Sequence, residues 1–179
     1  PAGGSCAQRA APRHQRPRVV SALRHFGPAA SAALVRWSQE ASPDRRMVAA
    51  VLGQLASAAG LDTLTGWSGD PDAALREACY RAIGDIGLDE RAYYFALRAL
   101  GDPHPAVRAM AARALGRSGR GDASRYLAAH LGDEWTVAEH SAAALKQLGA
   151  PGLQYLTDSA RADGPGADLA RQMLWELQA

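Results

Sequence analysis

Lysine is nearly absent from this chain of 179 residues: Lys146 stands alone against nineteen arginines. Cysteine is scarce as well. Cys6 falls in a polar stretch and Cys79 at an apolar helical position, so a structural disulfide is disfavoured and a reducing compartment fits. No apolar run approaches the roughly 18 residues needed to cross a bilayer, and no signal-peptide core is present. A glycine-rich phosphate loop, a nucleophile elbow and a CxxC pair are all missing. Acids are absent from residues 1–39, which hold Arg9, Arg13, Arg16, Arg18, Arg24 and Arg36. The remainder therefore carries 14 bases against 18 acids, beneath a net charge of +2.

Alanine is abundant instead, with 40 residues, and the hydrophobic share of 47% suits one domain of ordinary size. Small side chains let helices approach closely. The alanines recur with a pattern. In Asp102–Gly119 an aspartate that can cap a helix is followed by Pro103 and Pro105 for its first turn. Val107, Ala111, Ala114, Leu115 and Ser118 then share one helical face, and Gly119 supplies the left-handed stop. The same statement recurs from Asp70-Pro71 through Leu75, Cys79, Ala82, Ile83 and Ile86 to Gly87. It recurs again from Asp133 through Val137, Ser141, Ala144, Leu145 and Leu148 to Gly149. A weaker copy runs from Ser42-Pro43 through Val48, Leu52, Leu55 and Ala59 to Gly60, and a last one holds Leu169, Met173 and Leu177. The lead positions 48, 75, 107, 137 and 169 are 27, 32, 30 and 32 residues apart. This is a repeat array.

Residues 1–16, with no periodic apolar face, read as a basic, disordered arm ahead of a repeat domain over 17–179. The chain begins at Pro1 rather than methionine, so a longer protein is expected. A solvated tail, a juxtamembrane flank and a nucleic-acid arm all fit this composition. Arg18–Phe26 predicts a short helix, and 28–40 a second with Ala30, Ala33, Leu34 and Trp37 available for packing. Residues 43–59 complete the N-terminal end. A stubby helix over 61–68 accounts for the short first spacing, with Trp67 filling the gap. The outer layer is expected at 90–100, capped by Asp89, with Tyr93, Phe95, Ala96, Leu97 and Leu100. Tyr126, Leu127 and Leu131 repeat it over 123–131, 151–161 repeats it again, and 166–178 closes the stack.

Leu100-Gly101-Asp102-Pro103, Val107-Arg108, Ala111-Ala112 and Ala114-Leu115-Gly116 resemble the HEAT repeat, in the short bacterial type first described in phycobilisome lyases. Asp70-Pro71, Leu75-Arg76 and Ala82-Ile83-Gly84 match in the unit before, and Asp133, Val137, Ala142 and Ala144-Leu145 in the unit after. The resemblance covers residues 18–178 and implies an all-α, right-handed superhelix of about five helical hairpins. It also implies an aspartate–arginine ladder, here from Asp70 with Arg76 and Asp102 with Arg108. Ala49 and Ala138 hold no arginine, which confines the ladder to the middle. From Asp133 to Leu153 the chain is similar to a bacterial group in which a HEAT domain follows a membrane helix. That group is often encoded beside a membrane glycosyltransferase, which implies a protein partner at the cytoplasmic face of the inner membrane.

Function must come from side chains, because this scaffold serves many tasks. Di-iron HEAT-like hydroxylases need His-Glu pairs in several units, whereas this chain offers only Glu139-His140, in reverse order. No catalytic residue, metal ligand set or cofactor is assigned. Positions one, two, five, six and ten after each lead residue are expected to face a concave surface. Tyr80, Arg81, Arg113 and Arg117 would line it as an aromatic-basic strip, with Trp135 exposed at a turn; these five are the candidate partner-binding residues. The reading is a non-catalytic, cytoplasmic protein-binding scaffold. A lyase-like enzyme with a site across repeats and a nucleic-acid binder remain as alternatives, nucleic acid being disfavoured because the strongest basic run lies outside the repeats. Leu115→Ala is expected to cost about 2–5 kcal/mol in denaturant unfolding, as core truncations do; unchanged unfolding would mean that the apolar face is misplaced.

Overall fold

The computed structural model describes residues 28–40 and 44–177. The basic arm, the helix expected over 18–26 and the Ser42-Pro43 turn lie outside them. The described residues form ten α-helices and no strand. They are α1 (Pro28–Glu40), α2 (Arg45–Leu55), α3 (Leu61–Trp67), α4 (Ala73–Ile86) and α5 (Glu90–Ala99). Then follow α6 (Pro105–Arg117), α7 (Ser124–Ala128), α8 (Trp135–Gln147), α9 (Ala150–Arg161) and α10 (Ala167–Trp175). Odd-numbered helices make an outer layer and even-numbered ones an inner layer, giving five hairpins in an α-solenoid.

Local signals start and stop these helices largely as the sequence predicts. Asp89 accepts a hydrogen bond from the Ala92 N–H at 2.7 Å and caps α5. Gly87, Gly119 and Gly149 take positive φ after α4, α6 and α8, where a side chain would be strained. Two expectations fail. The cap of α6 is His104 followed by Pro105, because the Asp102 carboxylate is engaged elsewhere. The inner helix α2 ends at Leu55 through left-handed Ala56, not at Gly60.

The apolar stripe of each inner helix meets the outer layer. Val107, Ala111, Leu115, Cys79, Ile83, Val137 and Leu145 are all fully buried, with Tyr93, Leu127 and Leu156 coming in from outside. On α1 the packed face is Ala30, Ser31, Leu34, Val35 and Ser38; Ala33 and Trp37 are exposed, so the helix is turned from its expected face. Trp67 is half-buried against the core.

What fixes the spacing of the inner layer is a row of glycines facing alanines. A methyl group on Gly53 would lie 2.8 Å from Ala82 Cα, on Gly84 3.1 Å from Ala114 Cα, and on Gly116 2.6 Å from Ala144 Cβ. Inner helices therefore pack backbone to backbone, which no larger residue permits at these points. This row corrects the repeat register. Gly53, Gly84 and Gly116 are 31 and 32 residues apart, so the first unit begins at Asp44 and not at Val48. The short spacing of 27 disappears, although α3 is a stub of 7 residues. At the next step the glycine position is Lys146, and α10 rests on α9 more extensively than on α8.

The seam makes a paired prediction. Gly116→Ala should destabilise the protein by about 1–3 kcal/mol through overpacking. Gly66→Ala, with nothing within 4 Å of the added carbon, should gain about 0.5–1 kcal/mol from helix propensity. Urea melts of the two variants check it; equal effects would remove the seam from the account.

Candidate partner-binding surface

The turns between outer and inner helices are tied by arginines on one edge of the stack. Arg76 donates from Nε and Nη2 to the Asp102 carboxylate at 2.8 and 2.9 Å, and from Nη1 to the carbonyls of Asp70 and Pro71 at 2.8 and 3.1 Å. Its second Nη2 contact is His104 Nδ1 at 3.3 Å. Arg108 repeats the arrangement one unit on. It reaches Asp133 at 2.9 and 2.6 Å, and the carbonyls of Asp102 and Pro103 at 2.9 and 3.3 Å. Each guanidinium thus spans its own turn and the carboxylate of the next, so the ladder links Arg76 to Asp102 rather than to Asp70's side chain. The corrected register supplies a third rung, because Arg45 is the counterpart of Arg76 and donates to Asp70 at 3.0 Å. The ladder therefore starts at the first described hairpin and ends before Ala138.

Arg76 has all its donors engaged and Arg108 all but one, whereas the more exposed Arg45 donates to Asp70 and lies 5.8 Å from the Trp67 ring centroid. The Arg108 hydrogen bonds hold Asp133 well below the usual carboxylate range despite burial, with His130 Nδ1 at 3.0 Å assisting. Burial alone would raise Asp102, but hydrogen bonds from Arg76 and the His104 N–H lower it.

The concave face is narrower than the sequence suggests. Tyr80 is 3% exposed, and its hydroxyl donates to the Phe95 carbonyl at 3.2 Å, tying α4 to α5. Ala109, Ala112, Ala138 and Ala142 are buried too, because close packing of the inner helices covers positions one and five and, at Ala109, position two, while Glu77 and Glu139 remain accessible. Tyr80 is thus a framework residue and leaves the strip. Arg81 is exposed and pairs with Glu77 on its own helix. Arg113 and Arg117 both reach across to Asp85 of α4, at 2.8 and 2.5 Å. The strip is accordingly three arginines and two acids, a mixed surface with one surplus positive charge. Sequence reasoning placed Glu77 and Asp85 on this face but did not pair them. The signal was an acid at position ten facing arginines at positions six and ten of the following unit.

Trp135 opens α8 at 64% exposed, well apart from the strip in register. Among the described residues no three His, Cys, Asp or Glu side chains lie close enough to hold a metal ion. His140 Nδ1 lies 2.8 Å from the Thr136 carbonyl, within its own helix. Burial pushes the Cys79 thiol up to about 12. No described helix is long and apolar enough to cross a membrane.

Stacked outer–inner hairpins, an arginine-tied edge and a grooved inner face define a helical-repeat solenoid. Residues 94–177 match the family model for HEAT repeats, so that part of the solenoid is built of HEAT repeats. Among solved structures the chain is similar to a crystal structure of an engineered protein, a Northeast Structural Genomics Consortium target. The two share 18% identity over 93% of this chain and 91% of that one, with a TM-score of 0.56, a likeness of fold alone. No curated protein matches the chain.

The ladder predicts an acid dependence. Asp133 titrates lower folded than its unfolded value of about 3.9. Its contribution is therefore present above that pH and is lost as pH falls below it toward the folded value. Asp133→Asn should cost about 2–4 kcal/mol at pH 7 by leaving half-buried Arg108 unpaired. The gap to wild type in urea melts should narrow below about pH 4; a gap independent of pH would assign the loss to something other than the rung.

Proposed function

We propose that this solenoid is a non-catalytic scaffold that holds a protein partner on its concave face. The observation that carries the reading is the surface of Arg81, Arg113 and Arg117 interleaved with Glu77 and Asp85. It sits on helices whose spacing the glycine row fixes. Arginines held by acidic neighbours are pre-positioned, so little side-chain freedom is lost when a partner's carboxylate or carbonyl arrives. A groove with both signs of charge suits a protein surface of complementary pattern better than a uniformly anionic polymer.

The finer proposal is a partner at the cytoplasmic face of a membrane, with a membrane glycosyltransferase as the candidate. It is supported by the acid-free, arginine-bearing stretch 1–39, since clustered basic residues are drawn to anionic leaflets. Affinity purification from detergent-solubilised membranes tests both levels. The Arg81→Glu/Arg113→Glu variant should keep the wild-type melting temperature within a few degrees, because these groups are exposed or half-exposed. It should lose a partner that wild type retains. Equal retention of that partner would refute the concave site, and a partner without membrane association would refute the finer proposal.

A further inference from the structure

We infer that the cleft beside Ala138 is a socket for an arginine side chain supplied by a protein partner. The protein carries its own template for such a site. Arg76 enters the space between turns 68–71 and 101–103, and Arg108 enters the corresponding space one unit later. In the next unit the chain places Ala138 where those arginines stand. A cleft of about 370 Å³ lies at that point, between Leu131–Asp133 and Gly164–Gly166, as one of about 460 Å³ flanks Arg76 at the corresponding turns.

The walls keep the template's turn carbonyl. The carbonyls of Asp70 and Asp102 each accept a guanidinium N–H, whereas the carbonyl of Asp133, a residue lining this cleft, accepts no hydrogen bond among the described residues. Trp135, 64% exposed, gives the cleft an aromatic wall, and indole faces attract guanidinium groups. Asp168 lines the cleft but is exposed and accepts from Arg171 at 2.6 Å, and Asp163, at the turn position equivalent to Asp102 and Asp133, is not among the lining residues. The walls are preformed. A methyl group on Gly132 would lie 2.4 Å from Pro165 Cβ, and one on Gly166 2.3 Å from the Leu131 carbonyl, so the two turns are in backbone contact. Residues 133–177 hold seven acids against three bases, a charge balance that favours a cationic visitor. Arginine fits better than lysine because a planar fork can donate to the carbonyl while it stacks on the ring.

Acetyl-Ala-Arg-Ala-amide is the probe, followed through the Trp135 indole N–H resonance, which is assigned by its loss in Trp135→Phe. A saturable shift is expected, weaker by about fivefold or more for the lysine tripeptide. Ala138→Arg should abolish the shift and raise the melting temperature by about 2–4 °C by completing the ladder. Trp135→Leu, at an exposed position, should keep the wild-type melt and weaken binding about tenfold, read from the Gly132 and Gly166 backbone amide shifts in both proteins because the variant has no indole at this position. No saturable shift, equal affinity for lysine, or a shift that survives in folded Ala138→Arg would each overturn the socket. If Ala138→Arg melts below wild type, the position is not a rung, and the template argument falls with it. The socket lies on the turn edge, apart from the concave groove. Arg81→Glu/Arg113→Glu should leave the titration unchanged, so this inference and the proposed function fail separately.

Discussion

Contact between inner helices at Gly53, Gly84 and Gly116 is the constraint on which the rest of the structure depends. It sets helix separation at backbone distance, buries the row containing Tyr80, Ala112 and Ala142, and leaves a narrow groove in place of a broad one. The same separation brings each turn within reach of the arginine before it. A wider seam would move Asp102 away from Arg76 and Asp133 away from Arg108, and the bidentate geometry tolerates little displacement. Alanine-rich packing and the arginine ladder are therefore two consequences of one spacing.

The two faces of the solenoid use arginine differently. On the turn edge Arg76 commits all its donors to carbonyls, a carboxylate and the His104 ring, and the guanidinium acts as a structural pin. On the concave face Arg81, Arg113 and Arg117 share two acids and stay accessible to solvent. With one lysine in the whole chain, structural and surface positions draw on the same residue type. Burial and partner count, not identity, separate the roles.

Much of the fold was legible because the apolar 3-4 spacing, the Gly-Asp turns and the stop glycines agree with one another in the three central units. The first unit misled for a physical reason. A helical face looks nearly the same when shifted by four residues, so Val48 passed for a lead residue when Asp44 holds that place. Arg45 and Gly53, which carry the true register, are not apolar and were invisible to that pattern. The candidate surface was only half legible. Periodicity tells which way a side chain points from its own helix, but not how near the next helix comes. Tyr80 was therefore assigned outward although its neighbours enclose it. The pairing of Asp85 with Arg113 and Arg117 joins residues 28 and 32 apart, a relation that becomes visible only once the units are aligned.

Lys146 marks the point where the seam runs out. Beyond it the last hairpin is fastened through its outer helix, where Gly152 lies against the Leu145 carbonyl, while its inner helix lacks the backbone-close fit of the others. In a linear array each unit draws support only from those beside it. A molecule built this way should come apart directionally, shedding α9 and α10 while the glycine-locked middle still holds. The groove would then outlast the end that carries the Ala138 cleft.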